Sequence, residues 1–152
     1  MSGLDLSAIR EGLATTVTVG VSREIRGYPY PKGNEELPCV VVHRVGDESV
    51  DWYGSLAAAD GLAIVNFVLE FMAPCRVSFE DGLRVLDEML SAGAGLPNSV
   101  IDAIEADRTL QGTVEETLVG VASGESGTRP DESGRPQAVL SRVPLTVWLQ
   151  RS

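Results

Sequence analysis

Twelve consecutive residues constrain this chain more than any other stretch: Leu62-Ala63-Ile64-Val65-Asn66-Phe67-Val68-Leu69-Glu70-Phe71-Met72-Ala73, closed by Pro74. The run is rich in β-branched and aromatic residues and reads as a strand. At about 3.3 Å per residue it would reach roughly 40 Å, whereas an ordinary strand has about five or six residues. A strand of that length bends or runs past its own small core toward a neighbour. Directly after it, Phe79, Leu83, Leu86 and Leu90 recur at intervals of three and four, the spacing of a helix with one apolar face.

Size and charge narrow what such a strand can belong to. The 152 residues suit one domain able to bury a core without staples. Lys and Arg number 12 against 22 Asp and Glu, a net charge of −10. That balance argues against gripping nucleic acid, which needs a basic footprint, though not against a surface that DNA slides past. Two cysteines, Cys39 and Cys75, make no disulfide framework and point to a reducing compartment. The start of the chain lacks a basic region followed by an apolar run, so no signal peptide is expected. The longest apolar run holds Asn66 and Glu70 and is too short to cross a bilayer. A soluble intracellular protein is the expectation.

Read in order, Leu4–Thr16 predicts a helix with Leu6, Ile9 and Leu13 on one face, extended by Val17, and with Asp5 as N-cap between Leu4 and Ile9 as a hydrophobic staple. Val17–Ile25 predicts a first strand, and Arg26–Glu36, with its prolines and glycines, a loop. Leu37–His43 is apolar on both faces and so a central strand. Arg44–Ser49 reads as a turn and Val50–Tyr53 as the next strand, the two strands forming an antiparallel hairpin. Ser55–Asp60 bridges into the long strand. The following helix takes Ser78 as N-cap, Glu80 and Asp81 in its first turn, and Gly93 as its C′ residue. A second helix covers about Asn98–Ala106, with Ser99 and Asp102 as a capping-box variant, and Asp107–Thr113 forms the exit turn. Val114–Val121 predicts a strand, Ser123–Pro136 a mobile loop, and Gln137–Leu149 a last strand that Pro144 confines to an edge or a bulge. Strands cluster and helices cluster. The predicted class is α+β: a mainly antiparallel sheet with the N-terminal helix and two further helices packed on one face, in a single domain over 1–152 with a flexible insertion at about 123–136.

Chemistry-bearing residues are sparse. His43 is the sole histidine and has no nucleophile or acid near it in sequence. Cys39 and Cys75 lie outside any metal-ligand spacing and suit small core positions. The glycines of Ser123–Gly127 lack the Gly-Lys-Ser/Thr of a phosphate loop. Asp81, Asp87 and Glu88 read as a solvated helix face. Trp52, Tyr53 and Trp148 sit at strand ends, as interface anchors or as core lids. No catalytic residue, metal site or cofactor is expected.

Three stretches carry a family likeness: Leu4–Ala14; the Tyr-Pro loop leading into Leu37-Pro38-Cys39-Val40-Val41-Val42; and Ser99–Asp107 followed by Thr109–Val114. Over most of the chain and in the same order, they resemble the tail terminator and related neck proteins of long-tailed actinobacterial phages. The resemblance implies a homo-oligomeric ring, commonly a hexamer, on the head-proximal end of the tail tube. Such a ring ends tube polymerisation and faces the head-completion proteins. Genomic DNA passes through its lumen without specific binding. It implies a virion protein of the tail–neck region, assembled in the host bacterial cytoplasm, with no membrane partner. The Ser123–Pro136 insertion is longer than the family's connection. A head–tail connector, stopper or other minor tail protein is the neighbouring alternative, and a ligand-binding module or enzyme the remote one.

On the ring reading, Ile64, Asn66, Val68, Glu70, Trp52 and Trp148 are the candidate subunit-interface residues. Tyr28, Tyr30, Lys32 and Arg129 are candidates for loop contacts to partners. Acidic walls would repel phosphate in a channel that must not hold DNA.

Overall fold

The computed structural model describes residues 5–44, 50–53, 61–93, 96–112, 114–120, 127–130 and 132–151. In chain order the elements are α1 (Leu6–Val19), β1 (Arg26–Tyr28), β2 (Cys39–Arg44), β3 (Val50–Tyr53), β4 (Gly61–Pro74), α2 (Phe79–Leu90), α3 (Val100–Ala106), β5 (Glu116–Val119), β6 (Gly127–Pro130) and β7 (Pro136–Arg151). The chain is α+β, with a mixed sheet. β1 runs parallel to β2, while β2, β3 and β7 pair antiparallel with β4 and β5 and β6 antiparallel with β7.

β4 and β7 form the spine, in unbroken register from Gly61↔Arg151 to Pro74↔Ala138. On one side of it β2 pairs with Phe67–Met72 and β3 with Leu62–Val65. On the other, β5 pairs with Leu145–Trp148 and β6 with the stretch from Pro136 to Leu140. Two short strands thus lie end to end along each long one.

Side chains alternate across this spine. Val65, Phe67, Leu69, Phe71 and Ala73 share one core with Val40, Val42, Val139, Val143, Leu145 and Val147, and with Ile9, Leu13 and Val17 of α1, Leu86 and Met89 of α2, and Val100 and Ile104 of α3. All three helices therefore contribute to the same core. Phe67 and Phe71 are fully buried, each contributing about 2 kcal/mol by removal from water. The N-caps Asp5, Ser78 and Ser99 are those the sequence indicated. Asp5 accepts from Ala8 N at 3.0 Å, Ser78 from Asp81 N at 3.2 Å and Ser99 from Asp102 N at 3.0 Å, each satisfying an amide that the first turn leaves unpaired.

Several expectations are corrected. No strand occupies Val17–Ile25: α1 runs on to Val19, because Val17 completes the buried Ile9–Leu13 stripe and Thr18 Oγ1 donates back to Ala14 O at 2.7 Å. Packing outweighs the weak helix propensity of Thr and Val. Within the expected loop, Arg26–Tyr28 forms β1 on β2. β2 and β3 make no hairpin. Both run antiparallel to β4, hence in the same direction, one continuing the other along a strand long enough for both. Gly93 is not a left-handed C′ residue; α2 ends on Ser91 in extended conformation, and Gly93 N donates to Asp102 Oδ1 at 3.0 Å. Gly127–Pro130, inside the expected loop, is strand β6.

β7 is interior, not an edge, and its pairing with β4 shows no bulge at Pro144. Gly120 N donates to Pro144 O at 2.7 Å. A strand residue points its N and its C=O to the same side, so the proline nitrogen also faces the β5 side, where that strand ends at Val119, and stands opposite Val68 in a non-hydrogen-bonded pair. The missing donor interrupts no bond to β4. Leu4 of the staple, the turn at 45–49, the bridge at 55–60, Val121 and residues 123–126 lie outside the described residues.

Candidate functional site on the open sheet face

The face of the sheet turned away from the helices carries Ile64, Asn66, Val68, Glu70 and Met72 of β4, in register with Trp148, Thr146, Pro144, Arg142 and Leu140 of β7. One end of this face is covered. Cys39, Val41, Met72 and Ala138 form a second, small buried cluster with Tyr28, Leu37 and Leu140 packed against it. Arg129 fastens the segment between β1 and β2 there. Arg129 Nη1 lies 2.9 Å from Glu35 Oε2 and 3.8 Å from Met72 Sδ, and Arg129 also donates to Gly33 O.

The Glu35 side chain is 5% exposed. Burial raises its pKa, but the backbone N–H groups of Gly33, Glu35 itself and Lys32, together with the Arg129 guanidinium, outweigh that and hold it below its ordinary value. Cys39 beneath is pushed up to about 12, first by burial and then by the Glu35 carboxylate, which makes it a poor nucleophile.

The other end is open. Ile64 and Val68 are half-buried; Trp148 and Leu118, which faces Thr146 in register, are 36% and 42% exposed. Between them Thr146 Oγ1 donates to Asn66 Oδ1 at 3.0 Å. At the boundary, Arg142 holds Glu70 Oε2 through Nε and Nη2, both at 3.1 Å, and His43 Nε2 stands 3.6 Å from Glu70 Oε1. The open end is thus a half-buried apolar strip bounded by the Glu70, Arg142 and His43 cluster.

The structure thus gathers five of the six interface candidates, Ile64, Asn66, Val68, Glu70 and Trp148, onto one face. Trp52 pairs with Ala63 through β3, and its side chain lies outside the described residues. Of the loop candidates, Tyr28, Lys32 and Arg129 meet around Glu35: Lys32 Nζ is 5.5 Å from the Tyr28 ring centre, and Tyr28 Oη accepts from Glu36 N at 2.9 Å. Arg129 is turned inward as a fastener. Tyr30 stands apart, stacked at 4.5 Å under Arg10. Sequence reading missed Glu35, Arg142, Leu118 and Thr146. The last three follow from strand alternation once the partner register is known; Glu35 carries no local signal, since its partner is 94 residues away. Glu88 of the solvated helix face meets Arg23.

Among the described residues, no group of three or more His, Cys, Asp or Glu side chains is placed to hold a metal ion, and no helix is long and apolar enough to cross a membrane. No protein-family model matches the chain, and no curated protein sequence matches it.

Proposed function

We propose that this chain is a structural protein of a phage tail, a terminator that joins copies of itself into a ring at the head-proximal end of the tail tube and ends tube growth there. The observation that carries the reading is the open half of the outer sheet face: an apolar strip from Ile64 and Val68 to Leu118 and Trp148, on a spine of 14 and 16 residues. Among the described residues, helices line only the other face of the sheet, and a strip of this kind on a domain surface is a place for another chain to sit. The phage-protein resemblance of the sequence gives that surface its biological setting, with the tube protein on one side, the head-completion proteins on the other and DNA in the lumen. The acidic balance suits a lumen that does not hold DNA.

Native mass spectrometry and electron microscopy of the purified chain at high concentration test the reading, with polymerising tail-tube protein added in a second arm. Rings that cap tubes at one end are the expected result. A monomer at every concentration that also leaves tube length unchanged would overturn it. Label density at the portal side of intact virions would move the protein to the connector position.

A further inference from the structure

Residues 29–38, between β1 and β2, lie over one end of the outer sheet face without joining the sheet. Both ends of this segment are pinned. Arg10 Nη1 donates to Pro29 O at 2.7 Å, and Arg26 N donates to Pro38 O at 3.1 Å. Between the pins, residues 31–34 and Glu36 are exposed, while Glu35 and Leu37 turn toward the sheet.

The middle of the segment is held by one side chain. Beyond β1, every polar contact of 31–37 among the described residues is made to Arg129 of β6, through Glu35 Oε2 at 2.9 Å and through Gly33 O. The other bonds are local. Lys32 N and Gly33 N donate to Glu35 Oε1, Glu36 N donates to Tyr28 Oη, and Glu36 pairs with Arg26. Beside Arg129 an open cleft of about 430 Å³ runs between Gly33 and Asn34 on one side and Pro130 and Gln137 on the other. The Glu35 side chain is 5% exposed and that of Arg129 25%. Loss of one partner leaves a buried charge uncompensated, and the Glu35 carboxylate regains water by lifting away from the sheet.

What lies beneath is separate from the rest of the interior. Cys39, Val41, Met72 and Ala138, with Tyr28, Leu37 and Leu140 against them, share no residue with the helix-side core. Lifting 31–37 therefore opens the small cluster and leaves the large one closed. Units held by so few buried contacts open at a lower free energy than the whole fold.

We propose that residues 29–38 are a releasable strap, latched by Arg129 on Glu35 and Gly33, whose lifting uncovers Val41, Met72 and Leu140 without unfolding the helix-side core. Met72 follows Ile64, Asn66, Val68 and Glu70 on the same face of β4. Release thus lengthens the exposed face past the Glu70–Arg142 pair, and the latched strap is the chain's own cover over that end. The strap opens or stays shut in an isolated copy, whether or not copies join.

Cys39 reports the opening. It is fully buried, and its thiol is pushed up to about 12, first by burial, so it reacts once the strap lifts. The test is maleimide labelling of the full chain in a urea series well below the denaturation midpoint, with peptide mass mapping to separate Cys39 from Cys75. The parent is compared with Arg129→Ala and with Glu35→Gln, which keeps the side-chain shape; circular dichroism establishes that both variants are folded. Cys39 is expected to react at a rate nearly independent of urea, because lifting a strap exposes little surface. Either variant is expected to react about tenfold or more faster than the parent. A Cys39 rate that climbs with urea as steeply as global unfolding, in parent and variants alike, would overturn the strap. Folded variants whose Cys39 reacts no faster than the parent's would overturn Arg129 as its latch.

Discussion

Gly120 passes so close to Pro144 that a Cβ on the glycine would lie 2.8 Å from Pro144 Cγ and 3.1 Å from the Pro144 carbonyl oxygen. That approach lets Gly120 N reach Pro144 O at the point where β5 ends. Gly120→Ala is expected to cost about 1–3 kcal/mol in urea denaturation, because neither ring nor backbone can yield. In a Pro144→Ala background the cost should shrink as the ring is removed. Strictly additive effects in that double-mutant cycle would show that the two residues are not in contact in solution.

The Glu35–Arg129 pair makes a prediction about pH. The folded pKa of Glu35 lies below its ordinary value of 4.5, so its stabilisation is fully present above that value and is lost as pH falls through the lower, folded pKa. Glu35→Gln should be less stable than the parent at pH 7, by roughly 2 kcal/mol for a hydrogen-bonded charge. The difference should narrow as pH drops below about 4.5. Denaturation midpoints of the two proteins measured from pH 7 to pH 3 check this; parallel curves would contradict it.

Arg10 ties three parts of the fold together. Its Nη1 donates to Pro29 O at 2.7 Å and to Val42 O at 2.8 Å, and its guanidinium stacks on Tyr30. A lysine offers no planar fork to stack on the ring while bonding both carbonyls. Arg10→Lys is therefore expected to lose about 1–3 kcal/mol, close to the loss in Arg10→Ala. Thermal melts of the two variants measure it, and a lysine variant as stable as the parent would refute the fork argument.

On the open face, Trp148→Ala removes the aromatic that stands opposite Ile64. The side chain is 36% exposed, so the fold should lose only about 1–2 kcal/mol, while self-association should fall much further if this face is an interface core. Sedimentation velocity beside a urea curve separates the two effects. A loss of stability with unchanged association would make Trp148 a lid on its own sheet.

Much of this fold was legible from local residue pattern. The run closed by Pro74 became β4, and Ser78 and Ser99 cap the helices they precede, because alternation and capping act over a few residues. Four interface candidates reached one face because Ile64, Asn66, Val68 and Glu70 are spaced by two, and that spacing holds whatever the partner strand; Trp148 joined them only through the register of β7 on β4. The pairing of β3 was not legible: Val50–Tyr53 reads as the hairpin partner of the strand before it, whereas it pairs with β4. Nor did Arg129 announce that it would turn inward to Glu35.

The sequence by itself determined where most strands and helices lie and which side chains share a face, since periodicity and caps are written over neighbouring residues. Only the tertiary structure decided that β2 and β3 lie in line along β4, that β7 is interior despite Pro144, and that Glu35 and Arg129 close one end of the outer face while the other stays open. Each of those outcomes depends on which distant segment occupies a given edge, and that choice follows from burial summed over the whole sheet, not from the residues on either side.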